Sequence, residues 1–562
     1  MNAMLDRRQL LFAGGAAALV PWLPAWAQPI SSGLPTVGGE DIRLSIAHRM
    51  LTVDGRTSHA IGINGTIPGP LVRLKEGTNA RIHVTNDLPD EDSSIHWHGL
   101  ILPFHMDGVP GISFPGIAPG KTFTYEFPVK QSGTYWYHSH SGLQEQIGHY
   151  GPLIIDPADA DPVAYDREHV IVLSDHSPLH PHAIFKKLKQ MGGYFNYQKQ
   201  TIGGLIAGKD QPLEKRTAWG AMRMDPTDIS DVTAAAYSYL VNGHGPQDNW
   251  SGLFRPGEKV RLRIINASAM TTFNVRIPGL KMTVVQADGL NVRPVSVGEF
   301  QIGVAETYDI VVEPEDRAYT IVGENSDRSG MARATLAPRA GMTAPVPPLR
   351  KRPLASMKDM GMGDMDHGSM GHDAGAGMDH GMRDMTLAPT VKDTPAVQTI
   401  SPMPSDRTGE PGQGLEDIED ALTYRDLVAL DRNPDTRAPS REMEIHLTGN
   451  MERYMWAFDG VKMNEVKAPI PFRLGERVRV TLVNDTMMTH PIHLHGHFFE
   501  LVTGKGDHAP RKHTVNVQPG GKVTFDLTAD APGDWAFHCH LLYHMHAGMM
   551  QVVTVRAEGE AT

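Results

Sequence analysis

The chain has 562 residues, 40% of them hydrophobic and 21% charged, with 57 Gly, 42 Pro and one Cys. A net charge of -12 argues against a nucleic-acid partner and leaves small cationic partners open. The length calls for roughly two to four domains, and the Gly and Pro content favours turns and short strands over long helices.

The chain begins "MNAMLDRRQLLFAGGAAALVPWLPAWAQP", with a charged start, an apolar stretch from Leu10 to Val20 and a small-x-small site at Ala25–Ala27. A transmembrane anchor is the competing reading, but the stretch is too short and Pro21 breaks it. Residues 1–27 are therefore expected to be an export signal, and Arg7-Arg8 before "QLLF" resembles the twin-arginine type. No later segment is apolar for long enough to span a bilayer, so the mature chain is expected to be soluble and periplasmic. Outside the cytoplasm disulfides persist, yet one cysteine cannot form an internal one. Cys539 is left to be buried and inert, paired between chains, or bound to a metal.

A first domain is expected over residues 38–157. Its segments "LKEGTNARIHVTNDLPDEDSSIHWHG" from Leu74 and "APGKTFTYEFPVKQSGTYWYHSH" from Ala118 each combine a turn glycine, an alternating strand and a His-x-His pair. The pairs are His96/His98 and His138/His140. Between them, in "HMDGVPG", Asp107 reads on turn preference as a turn former before Gly108, with His105 and Met106 beside it as candidates to guard a channel. A second domain is expected over 165–340, where "RPGEKVRLRIINASAMTTFNVRIPG" from Arg255 repeats the plan without a histidine. His180/His182 in "SPLHPH" read as exposed.

Residues 341–395 read as a flexible linker rich in Met, Gly, His and Asp. Between Met357 and Met385 it holds eight Met and three His. A plain spacer would use Ser, Gly and Pro, whereas thioethers select Cu(I) and need no deprotonation to bind it. Met357, Met360, Met362, Met365, His367, Met370, His372, Met378, His380, Met382 and Met385 are therefore candidates for Cu(I) capture. A connecting segment over 396–440 contains "LEDIEDALTYRDLVAL", which allows short helices.

A third domain is expected over 441–556. "RLGERVRVTLVNDTMMTHPIHLHGH" from Arg473 aligns with the segment from Arg255, and "QPGGKVTFDLTADAPGDWAFHCH" from Gln518 aligns with the one from Ala118. The repeated alternation and turn spacing read as an all-β chain built from three β-sandwiches. Met443, Met451 and Met455 read as core by default, with a cuprous docking site as the alternative.

The chain holds seven His-x-His pairs, where random placement of 28 His in 562 residues gives about 1.4. Residues two apart in a strand point to the same side, roughly 7 Å apart, and the residue between them points the other way. His538 and His540 would then face one metal cluster while Cys539 faces another metal on the opposite side. With His490, His544 and Met549 nearby, the set of two His, one Cys and a weak axial Met describes a blue-copper electron-transfer centre. Ser139 stands where Cys539 stands in the third domain, so the first domain lacks the soft ligand. Thr272, Val275 and Ile277 align with His490, His493 and His495, so the middle domain keeps the strand and has no ligands.

The segments "HWHG", "HSH", "HPIHLHGH" and "HCHLLYHMHAGM", extended by "FPGIAPGKTFTYEFPV" and "IPGLKMTVVQADG", resemble the signature set of the three-domain multicopper oxidases over most of the mature chain. Within that family the likeness is to the periplasmic copper-resistance oxidases. The resemblance implies three cupredoxin-like Greek-key sandwiches and four copper ions. It implies type 1 copper at His490, Cys539, His544 and Met549, and type 2 at His96 and His493. The type 3 pair would take His98, His138, His140, His495, His538 and His540. It implies electron entry near His490 and passage through Cys539, with Asp107 as an acid that relays protons for O2 reduction. Several relatives carry an acid after the residue matching His544; here that place is Met545, which leaves a second proton route unassigned. His497 and His546 read as outside the ligand set. The Met-rich stretch favours Cu(I) as reductant, with copper carriers as partners. A laccase-like phenol oxidase and a copper-sequestering protein are the alternatives; two-domain nitrite reductases fit less well, lacking the "HCH" pairing and a third domain.

Overall fold

Period-two patterning sets up the strands. In Asp41–Val53, Ile42, Leu44 and Ile46 turn inward while Asp41 and Arg43 stay in solvent, and Gly521–Thr528 alternates from end to end. The computed structural model describes residues 33–363 and 382–559. The expected export signal, and Met365, His367, Met370, His372, Met378 and His380, lie outside them.

The described strands form six sheets, two in each third of the chain: five and four strands, then six and five, then seven and five. One sheet in each third has the same plan. The order is Leu71–Lys75, Tyr150–Asp156, Gly133–His138, His96–His98 in the first, and Ile470–Arg473, Met550–Arg556, Gly533–Cys539, His490–Leu494 in the last. In the middle it is Ser251–Leu253, Met331–Ala337, Tyr319–Asn325, Phe273–Arg276. Val275 pairs with Gly323 and Phe300 in the register by which His493 pairs with His538 and Thr514. The middle sheet thus repeats the ligand-bearing strand with a valine in place of the imidazole.

One apolar core runs through the middle and last thirds, and a second fills the first. The seams between thirds also carry charge. Lys512 Nζ, fully buried, lies 3.1 Å from both Asp288 and Glu306 of the middle third. Removing one partner of such a buried pair costs about 3–5 kcal/mol, because the other charge is left uncompensated. The connecting segment follows this seam in turns and extended chain. Its "LEDIEDALTYRDLVAL" stretch forms one 3-10 turn, Tyr424–Asp426, rather than helices, and Ser405–Asp406 pairs with Gly521–Lys522.

Two features depart from the sequence reading. The middle third carries helices Pro181–Gln190, Ile202–Ile206 and Leu213–Ala221 that the alternation signal does not reveal. The described ends of the Met-rich stretch are packed: Met357 and Met360 are buried with Trp219 and Met487, while Met362 and Met382 lie against the same cluster with Met222, Met224 and Met451. Met385 packs on a separate small cluster around Val391 and Ile400.

Candidate metal centres

Strand register brings the histidines of the first and last thirds together. His96 stands opposite His138, and His493 opposite His538. Their ligand atoms fall into groups within 4.8 Å of one another: His96, His98 and His493; His98, His138 and His540; His140, His495 and His538. A fourth group, His490, Cys539 and His544, lies on the far side of Gly533–Cys539. Cys539 Sγ is 3.5 Å from His490 Nδ1 and 3.9 Å from His544 Nδ1, and those two nitrogens are 3.2 Å apart. His538 and His540 therefore face one cluster while Cys539 faces the other, as alternation along a strand requires. Met549 is fully buried, and its carbonyl accepts the Cys539 N–H at 3.1 Å.

Five of the outer ring nitrogens are tied down. His96 Nδ1 donates to the Asp107 carbonyl at 2.7 Å, His493 Nδ1 to the His513 carbonyl at 2.7 Å, and His538 Nδ1 to the Cys539 carbonyl at 2.9 Å. Two carboxylates do the same: Asp107 Oδ2 accepts from His495 Nδ1 at 2.9 Å, and Glu145 Oε2 lies 2.8 Å from His138 Nδ1. These bonds set the tautomers and leave the lone pairs of the other nitrogens pointing inward. Nε2 of His96, His98, His138, His140, His493 and His540 has no hydrogen-bond partner among the described residues, and Nε2 of His495 and His538 face each other at 3.0 Å. Buried nitrogens left unmatched on this scale are costly unless an ion takes the lone pairs.

Electrostatics favours the same filling. Burial, reinforced by neighbouring imidazoles, holds His98, His138, His140, His493, His495 and His540 well below the usual histidine range, and burial takes His538 down to about 4. The rings are neutral and ready to donate. Burial pushes the Cys539 thiol up, so a cation is needed to hold it as thiolate. The donor chemistry of both clusters fits copper: imidazole alone on one side, imidazole with thiolate on the other.

Three residues beside the clusters escape a reading of the sequence. Glu145 lies in the turn Gln144–Ile147, five residues after the "HSH" pair ends, and burial with help from Asp175 raises it well above the carboxylate range. Asp231, from the middle third, accepts from His544 Nε2 at 2.6 Å and from Tyr454 at 2.7 Å, and burial pushes it up to about 7. Thr486 Oγ1 lies 2.8 Å from His490 Nε2. Only spacing from known ligands could have flagged the first and last; Asp231 carried no local signal.

Thr486 is also a wall of a cleft of about 400 Å³ that includes Met191, Met224, Met451, Met487, Asp225, Asp228 and Glu452. Burial, then Asp231 and Asp225, push Asp228 up to about 8, a repulsion that a bound cation would relieve. Of the three methionines read as core or docking residues, Met451 is in this wall, whereas Met443 packs on the main core and Met455 is half-buried in a strand. His105 is exposed and Met106 half-buried, its sulfur accepting from the Glu126 N–H. His497 is buried behind His495, bonded to its carbonyl at 3.0 Å, and His180, His182 and His546 are exposed.

Comparison with known proteins bears on the whole chain. Profiles described as multicopper oxidase match residues 45–160, 167–340 and 436–559. A copper resistance protein A homolog of Pseudomonas syringae pv. tomato is 49% identical over 95% of each chain. Copper resistance protein A of Escherichia coli is 47% identical over 97% of this chain and 98% of its own. Among solved structures, the multicopper oxidase Fet3p superposes with a TM-score of 0.65 at 20% identity, covering 92% of this chain and 90% of that one. The Botrytis aclada laccase gives 0.62 at 23%, covering 93% and 88%. At these identities the two structures speak for the fold alone.

Proposed function

The chain belongs to the multicopper oxidase family, an oxidoreductase with copper as cofactor, and on that premise we propose that it oxidises Cu(I) to Cu(II) while reducing O2 to water. We place this activity in the periplasm, after twin-arginine export, in the service of copper resistance, the role named for its relatives. Among the described residues no helix is long and apolar enough to cross a membrane.

His490, Cys539, His544 and Met549 would hold a type 1 copper, His96 and His493 a type 2 copper, and His98, His138 and His540 with His140, His495 and His538 a type 3 pair. Bound copper supplies the one-electron steps and the four-electron reduction of O2. The protein's part is geometry, connection and protons. Cys539 is one peptide bond from both His538 and His540, so a continuous covalent path joins the two donor sets. Asp107 holds His495 through its carboxylate and His96 through its carbonyl, and its Oδ1 makes no hydrogen bond among the described residues but lies 3.3 Å from His96 Nδ1, a position from which a proton is passed inward.

The cleft beside Thr486 carries the choice of substrate. Its thioethers and carboxylates suit a soft cation better than an aromatic ring, and its wall is one hydrogen bond from His490. Four described methionines of the linker, Met357, Met360, Met362 and Met382, share a cluster with Met451 and Met487 of that wall, which supports delivery of Cu(I) from linker to cleft. Oxygen uptake by the copper-loaded protein, with Cu(I) and with a phenol side by side, tests the reading. Faster uptake with Cu(I) is expected. Faster uptake with the phenol would make the protein laccase-like, and uptake with neither would make it a copper store.

A further inference from the structure

The hairpin of Asp41–Val53 and Arg56–Ile63 reaches beyond the core of the first third. Ile42, Leu44 and Ile46 are buried, but two and four residues on, His48 is half-buried and Met50 is 66% exposed. These five side chains share one face of the strand. In the antiparallel register Met50 stands opposite His59 and His48 opposite Ile61, so His48, Met50 and His59 lie on the same face of the arm. His48 Nδ1 and His59 Nε2 are 2.8 Å apart, with ring centroids 4.5 Å apart and planes tilted by 55°. We propose that His48, His59 and Met50 form a surface site for Cu(I), separate from the buried centres and from the methionine cleft.

The geometry suits an ion. Two imidazole nitrogens each about 2.0 Å from one metal stand about 3.3–3.5 Å apart at tetrahedral or trigonal angles, so the two rings need to part by only about half an ångström to admit an ion. Directly opposed residues have Cβ atoms about 4.5–5.5 Å apart, within reach of the long, flexible methionine side chain. Two imidazoles and a thioether are a soft, neutral, three-donor set, which selects the cuprous ion. The alternative is a plain N–H···N hydrogen bond between neutral rings, which gives no role to a large apolar side chain held in water opposite one of them.

Silver(I), which binds as Cu(I) does and is not oxidised by the enzyme, is the probe. Equilibrium dialysis of the copper-loaded full chain against Ag(I) in nitrate buffer compares wild type with H48A/H59A and with M50L. The double variant is expected to take up one Ag(I) fewer per chain, and M50L to bind that ion about tenfold more weakly, with phenol oxidation and blue absorption unchanged in both. Equal silver uptake by wild type and H48A/H59A would overturn the site. Unchanged affinity in M50L would remove the thioether and with it the assignment to Cu(I).

Discussion

Gly133–His138 and Gly533–Cys539 occupy the same place in two sheets of the same order, each carrying a His-x-His pair at its end. What differs is the residue between the histidines. Ser139 turns away from the cluster and donates to Gln144 at 2.9 Å, in a small polar network with Ser93. Cys539 turns away to meet two further imidazoles. The same strand geometry thus ends in a hydrogen bond on one side of the molecule and a second set of metal-ligating side chains on the other. The third copy of the sheet has Val275 at the histidine position, and Glu324, which matches Cys539 in that register, pairs with the buried guanidinium groups of Arg276 and Arg328. One backbone plan takes three chemical fates because each depends on single side chains whose direction the strand has already settled.

The strongest way to break this difference is to erase it. Cys539→Ser gives the last third the residue of the first, and is expected to remove the intense blue absorption and all oxidase activity while the fold survives, read by absorption, oxygen uptake and circular dichroism. Asp107 joins the two thirds that carry the histidine clusters, so Asp107→Ala is expected to lower kcat by about 10²–10³-fold with the blue absorption retained. A change below about twofold would leave it as a turn former only. Glu145 has its hydrogen-bonding partner in the first third, on His138. Glu145→Gln is expected to cost about tenfold in activity and to weaken the type 3 absorption without touching the blue band, because an amide oxygen still accepts from His138 but the group can no longer release a proton.

Substrate choice sharpens the comparison further, since the cleft lies beside His490, in the last third's proposed type 1 set. M451L with D228N is expected to slow Cu(I) oxidation about tenfold and phenol oxidation less than twofold; an equal loss on both would take the cleft out of substrate binding. Stability supplies the last test. His538 titrates at about 4 in the fold against 6.5 in the unfolded chain, so between these values unfolding takes up protons and stability falls as the pH drops. Its contribution is complete above 6.5 and lost as pH falls to about 4. The metal-free protein should lose about 1.4 kcal/mol per pH unit for each such histidine, and the copper-loaded protein should resist until copper leaves. Thermal melts of both forms from pH 7 to 4 read this directly.

Much of this arrangement was legible along the chain because strand direction is a local property. His-x-His spacing shows that two rings share a side, and the residue between must take the other. The alignment of Val275 with His493 likewise needed only the alternating pattern and the turn glycine. Contacts across long separations were not legible. His495 and Asp107 are 388 residues apart, and His544 and Asp231 are 313 apart, so nothing near either acid marks its partner. The helices from Pro181 to Ala221 were hidden for a different reason. They are short and partly exposed, with only Pro181, Ile184 and Leu188 buried in the first and Trp219 in the last, too little apolar periodicity to stand out. The ends of the Met-rich stretch looked like linker by composition, yet Met357 and Met360 are buried because Trp219 and Met487, far away in sequence, give them a surface to cover.

Anomalous diffraction at the copper edge from crystals of the loaded protein tests the central claim most directly. The account predicts one copper bonded to Cys539 Sγ with His490 and His544, and separate coppers on the rings of His538 and His540 across the strand. Copper absent from Cys539 Sγ, or a single ion shared by that sulfur and both flanking rings, would contradict it.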